Sequence, residues 1–274
     1  MTKIAVVCSQ GIGDLLIMHI ASHNLVQAGF ELVTFSEHDF GTWVAGYKFA
    51  KQPLFLSDFD AIILQYDNSD KVKRIKNTKT KIYGFYGNHQ LSKHGPLSES
   101  DYVCNPLLSM VDNITLAMQK WFGLSSKENG LTPPPSLIHK KYPKRVAIHT
   151  GSRDPHRNWP IERFNKIATY LKQKGYDPVF LEQFQTLEDL ASFIYESGSF
   201  IGNDSGPGHL ASCLQIPSII IGTSYNHLLL WRPGWLPPRV VTPPRWTSTF
   251  KWTRKRWKSF IPTRVIKMII NNTN

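Results

Sequence analysis

Short apolar runs alternate along the chain with longer stretches of helical spacing. "KIAVV" near the N-terminus reads as a strand, "QGIGD" as a turn, and Leu15 to Ala28 as a helix that Gly29 ends. "FELVTFS" is then a second strand and "DAIILQY", Asp60 to Tyr66, a further one, while "NITLAMQKWFGL" is a later helix that Gly123 can close. "LTPPPSLIHKKYPK" breaks all periodicity, and its three consecutive prolines make a semi-rigid connector. The domain boundary is expected there, giving residues 1–135 and 136–274.

The second half restarts with "RVAIHT", a strand, followed by the loop "GSRDPHRNW" and a helix expected to begin at Pro160, where a missing N–H costs nothing. Gly175 ends that helix and "DPVFLE" returns as a strand. "SFIGNDSGPGHLASCLQIPSIII", Ser199 to Ile221, reads as strand, Gly-rich turn, helix and strand, another βαβ unit. The fold class is therefore α/β: two Rossmann-like domains with parallel sheets, whose ligand sites lie at the carboxyl ends of strands, facing a central cleft. No internal repeat or low-complexity tract is visible.

At 274 residues the chain fits two domains, each large enough to bury a core. Hydrophobic residues at 41% and charged residues at 19% are those of a globular protein rather than a disordered one. No apolar run approaches the roughly 20 residues of a membrane-spanning helix, and the N-terminus does not read as a secretory signal. Cys8, Cys104 and Cys213 are odd in number and unpaired in spacing, which argues against a disulfide framework or a zinc site and for a reducing cytoplasm.

The net charge of +12 is unevenly spread. No Asp or Glu follows Asp204, whereas ten basic residues do: Arg232, Arg239, Arg245, Lys251, Arg254, Lys255, Arg256, Lys258, Arg264 and Lys267. Trp231, Trp235, Trp246, Trp252 and Trp257 lie among them. Such a surface suits anionic lipid headgroups, an anionic glycolipid or nucleic acid; a solvated basic face is the plainer alternative.

Three stretches at strand ends carry candidate chemistry. In the turn after Phe200-Ile201, Gly202, Gly206, Pro207 and Gly208 crowd around Asp204 and Ser205. Backbone N–H groups at a helix N-terminus attract phosphate, and glycines let it approach; Asp204 and Ser205 as simple helix caps are the plainer reading. The loop "HTGSRDPHRNWP" offers hydroxyls from Thr150 and Ser152 and guanidiniums from Arg153 and Arg157, a set that could clamp a diphosphate. "GIGD", Gly11 to Asp14, lacks the third glycine of a dinucleotide fingerprint and carries an acid where pyrophosphate would sit, which disfavours NAD; Asp14 is either a cap or a catalytic acid-base group. "DFD", Asp58 to Asp60, precedes its strand and so makes a poor metal motif, and the ten histidines show no metal-ligand spacing.

"QGIGDLL", "IHTGSRDPHRNWP" and "FIGNDSGPGHLASCLQIPSIIIG" together resemble glycosyltransferase family 9, the lipopolysaccharide heptosyltransferases of GT-B fold, over about residues 1–35 and 144–222. The resemblance implies an inverting, metal-independent transferase with no cofactor. It would use a nucleotide-diphosphate sugar such as ADP-heptose as donor and a lipopolysaccharide or related glycan as acceptor. It implies Asp14 as general base in the acceptor-side turn with Gly11 and Gly13. It implies donor contacts from Thr150, Gly151, Ser152, Arg153, Arg157, Asp204, Ser205, Gly206, Pro207, Gly208 and His209. The chain departs from the family between "VFLE" and "FIGNDSG", where there is room for one helix only; the C-terminal domain is shortened, and Glu182 is the expected ribose contact. With the basic tail, the resemblance implies a cytoplasmic protein docked peripherally on the inner membrane, with nucleic acid not a partner. A non-catalytic sugar-nucleotide or glycolipid binder of the same fold is the alternative.

Overall fold

The computed structural model describes residues 2–44, 48–51, 56–67, 69–181, 184–249, 252–253 and 256–271. The chain divides into two compact units, Met1–Pro134 and Pro135–Asn274.

In the first unit β1 (Lys3–Val7), β2 (Glu31–Phe35), β3 (Lys48–Ala50), β4 (Ala61–Tyr66), β5 (Lys81–Tyr86) and β6 (Tyr102–Val103) form one sheet in the order β3-β2-β1-β4-β5-β6. Every pairing is parallel. The strand order reverses between β1 and β4, the point where doubly wound folds open a crevice at the carboxyl ends of their strands. Helix α1 (Ile12–Gln27) is buried continuously from Leu15 to Ser22, where the sequence is apolar on nearly every side. It packs against both the sheet and α4 (Met110–Phe122), and a Ser22–Thr34 hydroxyl pair at 2.9 Å pins it to β2. Between β4 and β6 the chain forms α2 (Asp70–Lys76) and the single turn α3 (Leu91–His94).

The sequence places the turn over "QGIGD" and starts the helix at Leu15, but Gly11 is already the N-cap and Ile12 to Asp14 are helical. Strand β5, "KIYGFY", carries no clean alternation because Gly84 interrupts it. A Cβ there would meet the Asp101 carboxylate and the Tyr86 ring, both of which would have to shift to make room for it.

The second unit holds β7 (Tyr142–His149), β8 (Asp177–Phe180), β9 (Ser197–Asn203), β10 (Ser218–Ile221) and β11 (Arg239–Val241), all parallel, in the order β11-β10-β9-β7-β8. Its switch point lies between β7 and β9. Helix α5 (Ile161–Gln173) joins β7 to β8, and α6 (Leu187–Tyr195) alone joins β8 to β9, as the short spacing requires. Pro160 is the N-cap of α5, with extended ψ of 135°, so the helix begins one residue later than the sequence suggests. Helix α7 (Gly206–Cys213) follows β9, and α8 (Tyr225–Trp231) follows β10.

The C-terminal helix α9 (Thr263–Asn271) lies on α5, its Ile266 and Ile270 entering one core with Trp159, Phe164, Ile167 and Leu171. Trp257 belongs to the same core and donates its indole N–H to the His156 carbonyl at 3.1 Å. Trp257 and one face of α9 thus hold the unit together, while Trp246 and Trp252 are exposed.

Candidate active site

The second unit concentrates its polar groups at the carboxyl ends of β7 and β9. Asn203, the last residue of β9, is fully buried and works with both ends of its amide. Its Nδ2 donates to the Thr150 carbonyl at 2.6 Å, and its Oδ1 accepts the Trp159 backbone N–H at 2.9 Å. The loop between Thr150 and Trp159 is thereby stapled to β9. Within that loop the Ser152 hydroxyl lies 2.6 Å from Asn158 Oδ1 and 2.7 Å from the Asp154 carbonyl, so its proton is engaged locally. Asp154 caps the 3-10 turn Pro155–Arg157 by accepting from His156 N at 2.9 Å.

That turn delivers Arg157 to Asp204. The Nη2 of Arg157 donates to the Asp204 carboxylate Oδ2 and lies 3.1 Å from Nε2 of His227 on α8, which is itself 3.3 Å from the same carboxylate oxygen. Arg153 stands exposed on the loop, and the cluster's contacts run through Arg157 instead. Burial pushes the Asp204 carboxyl up, but the hydrogen bond from His227 and the charges of Arg157, His209 and His227 outweigh it and hold it below its ordinary value. Asp204 is therefore an anion at neutral pH.

Ser205 is the N-cap of α7, yet its side chain makes no capping bond. Its hydroxyl instead sits 3.0 Å from His149 Nδ1 and 3.1 Å from the Asn203 carbonyl. The Asp204 side chain is likewise spent on Arg157 and His227, so neither residue is a simple cap. In the first turn of α7 Pro207 has no N–H and Gly208 N donates to the Ser205 carbonyl at 3.0 Å, so the positive end of the helix, with Gly206 N–H not capped by the Ser205 side chain, is what suits an anion. Gly208 has a packing reason as well, since a Cβ there would come within 2.8 Å of Ile220 Cδ1 on β10. His209 is buried with Nδ1 lacking a hydrogen-bond partner among the described residues. Burial lowers its pKa more than the Asp204 charge raises it. Burial also pushes His149 down to about 4. Both of these rings are neutral at pH 7.

The first unit has a smaller polar cluster at the carboxyl ends of β1 and β4. Gln65, buried at the end of β4, accepts from Ser9 N at 3.0 Å and donates Nε2 to Asp14 Oδ1 at 2.7 Å. The Ser9 hydroxyl donates to Asp67 Oδ2 at 2.8 Å, and Lys71 on α2 donates to the Cys8 carbonyl at 3.0 Å. Burial and then the Asp14 charge push the Cys8 thiol up, against Lys71. Asp14 is half-buried in the first turn of α1, three residues after the cap Gly11 and with Gly13 just before it, so it is not itself the cap. Asp58 is exposed, and Asp60 accepts from Lys3 N at 2.7 Å, a structural contact. Among the described residues no three His, Cys, Asp or Glu side chains gather as a metal site.

Thr150, Ser152, Arg157, Asp204, Ser205, Gly206, Pro207, Gly208 and His209 are thus gathered around one switch point, with Gly151 in the connecting loop, while Glu182 lies outside the described residues. His149, Asn203, His227 and Gln65 join the two clusters without a local motif to announce them. A buried amide at the end of an apolar strand is the one signal that could have found Asn203 and Gln65.

Two parallel doubly wound domains, each with its polar groups at the carboxyl end of the sheet, define the GT-B class of fold. No protein-family model matches the chain. Lipopolysaccharide heptosyltransferase 3 of Escherichia coli (strain K12) is 25% identical over 114 residues, a match spanning 32% of this chain and about a third, 33%, of that protein. Among solved structures, E. coli heptosyltransferase WaaC with ADP superimposes with a TM-score of 0.70 at 14% identity, covering 100% of both chains. E. coli ADP-heptose lps heptosyltransferase II gives 0.65 at 16% identity over 99% of this chain and 98% of that one. A glycosyl transferase family 9 protein from Veillonella parvula gives 0.64 at 16% over 97% and 95%. The chain has the fold of these heptosyltransferases.

Proposed function

We propose that the protein is an inverting glycosyltransferase that moves a heptose-like sugar from a nucleotide-diphosphate donor, of which ADP-heptose is the best candidate, to a lipopolysaccharide or related glycan acceptor. The observation that carries this reading is the Arg157 guanidinium on Asp204 beside the uncapped first turn of α7. As the glycosidic bond breaks, negative charge develops on the departing diphosphate. Arg157 and the positive N-terminal end of α7 offset it, with no metal ion invoked. Asp14, held by Gln65, takes the proton from the attacking acceptor hydroxyl. Attack opposite the leaving group inverts the anomeric centre. Asp204 keeps Arg157 aimed and Asn203 fixes the loop that carries it.

A thermal-shift screen against ADP-, UDP-, GDP- and CDP-sugars tests the donor. At 100 times its dissociation constant the true donor stabilises by about 2.7 kcal/mol. Arg157→Ala is expected to weaken that donor by about 1.5–3 kcal/mol, the range for a hydrogen bond to a charged group. Unchanged affinity in calorimetry removes Arg157 from the site, and no shift with any sugar nucleotide overturns the reading.

We further infer that the protein acts in the cytoplasm, docked on the anionic inner leaflet where a glycolipid acceptor resides. In support, Trp246 and Trp252 are 54% and 60% exposed, and Arg245, Arg256 and Arg264 are exposed in the same C-terminal region. Lys251, Arg254 and Lys255 lie outside the described residues. Each basic residue near such a surface contributes about 1 kcal/mol. Sedimentation with phosphatidylglycerol vesicles should therefore show binding at low salt that is lost near ~0.5 M, where screening shortens the field. Replacing Trp246 and Trp252 by Ala, or neutralising the basic residues from 251 to 258, should reduce it. Equal binding to neutral vesicles, or none to either, defeats the inference.

A further inference from the structure

One atom, Arg157 Nη2, meets both Asp204 Oδ2 and His227 Nε2, and the last two are 3.3 Å apart. The three form a triangle that can be satisfied in only two ways. A guanidinium nitrogen donates and never accepts, so His227 can face it at 3.1 Å only with a bare Nε2, as the neutral ring protonated on Nδ1. Arg157 is then shared between the carboxylate and the imidazole. Once Nε2 carries a proton, that N–H faces the Asp204 Oδ2 acceptor at 3.3 Å, with the Arg157 guanidinium beside it. Two contacts hold His227 in place: its backbone N–H donates to the Ser224 hydroxyl that caps α8, and its ring stacks with Trp231 at 6.2 Å between centroids. The other groups of the neighbourhood are His209 on α7, electrostatically coupled to Asp204 and Arg157, and Arg245, whose guanidinium covers the ring of Tyr225 two residues before His227.

We propose that His227 is a positioning residue of the donor site: protonated, it takes over Asp204 and releases Arg157 to the diphosphate. This rests on the donor reading above. A free guanidinium and a second cation both favour a bound diphosphate, so protonation of His227 tightens nucleotide binding, and nucleotide binding in turn favours protonation. A histidine with a merely structural role would alter affinity by the same factor at every pH.

The test is calorimetric titration of ADP into wild type and His227→Gln, which keeps a polar side chain but never ionises. Taking the ratio of the two affinities at each pH cancels the ionisation of ADP itself. The ratio should favour wild type by about five-fold or more at the acidic end of the titration and approach unity at the alkaline end. A ratio constant across pH overturns the proposal while leaving the donor reading intact. Should ADP fail to bind wild type, the donor reading fails instead, and the triangle is judged by itself. In an NMR titration of the His227 ring, Arg157→Ala should raise its midpoint and Asp204→Asn should lower it. Midpoints unmoved by both substitutions overturn the proposal.

Discussion

Replacing Asp14 by Asn is expected to slow turnover by about two to four orders of magnitude, the usual contribution of a positioned general base. The substitution is nearly isosteric, and the amide oxygen can still accept from Gln65 Nε2, so the contact at 2.7 Å that orders this turn survives. What disappears is the lone pair that receives the acceptor proton. Because the proposed diphosphate contacts come from Arg157 and α7 rather than from Asp14, nucleotide affinity should stay near that of wild type. Release of nucleotide diphosphate in the presence of acceptor is the readout, with calorimetry on ADP alongside. Wild-type turnover in the Asn variant would remove Asp14 from the mechanism. A low rate unchanged between the two proteins would favour a binder that has kept the fold without turnover.

The alternation of strands and helices was legible because each element signals itself locally. "KIAVV", "AIILQY" and "RVAIH" are buried on both faces of parallel sheets, and such strands appear as uninterrupted apolar runs. The edge strands β3 and β6, of three and two residues, have too little length to carry a pattern, and β5 is broken by Gly84. The site divides along the same line. Asp204 to His209 could be read because a helix N-terminus built from glycine and proline has a sequence signature. His149, Asn203, Gln65 and His227 could not, since their partners lie 56, 53, 51 and 70 residues away along the chain. What the Ser152 hydroxyl bonds to within the chain was not legible either: it lies 2.6 Å from Asn158 Oδ1, six residues on. The C-terminal tail misleads for a third reason. Charge is counted per residue, but Trp257, Ile266 and Ile270 are apolar positions inside the basic stretch, and apolar burial decides where that chain goes.

Trp159→Ala should be the most destabilising single change in the second unit, costing about 3–5 kcal/mol. The side chain is 1% exposed, meets the Phe164 ring edge-on at a centroid distance of 5.0 Å, and donates its indole N–H to the Ile261 carbonyl at 3.1 Å. Truncation removes a large buried apolar surface, opens a cavity beneath α5 and leaves that carbonyl with Arg163 Nη1, at 2.8 Å, in place of two donors. The effect reaches the site because the Trp159 backbone N–H is one of the two groups that Asn203 holds, so loosening it frees the loop bearing Arg157. Two compact units allow two unfolding transitions, and this gives the prediction its specificity. In a urea melt the transition of the second unit should move to lower denaturant while that of the first, followed by fluorescence of the buried Trp43, stays in place. Nucleotide binding should weaken even at temperatures where the variant remains folded. Trp159→Phe, which refills most of the volume but cannot donate to Ile261, should recover the larger part of the stability. A variant Trp159→Ala with both transitions unmoved would show that the core of the second unit does not depend on this ring.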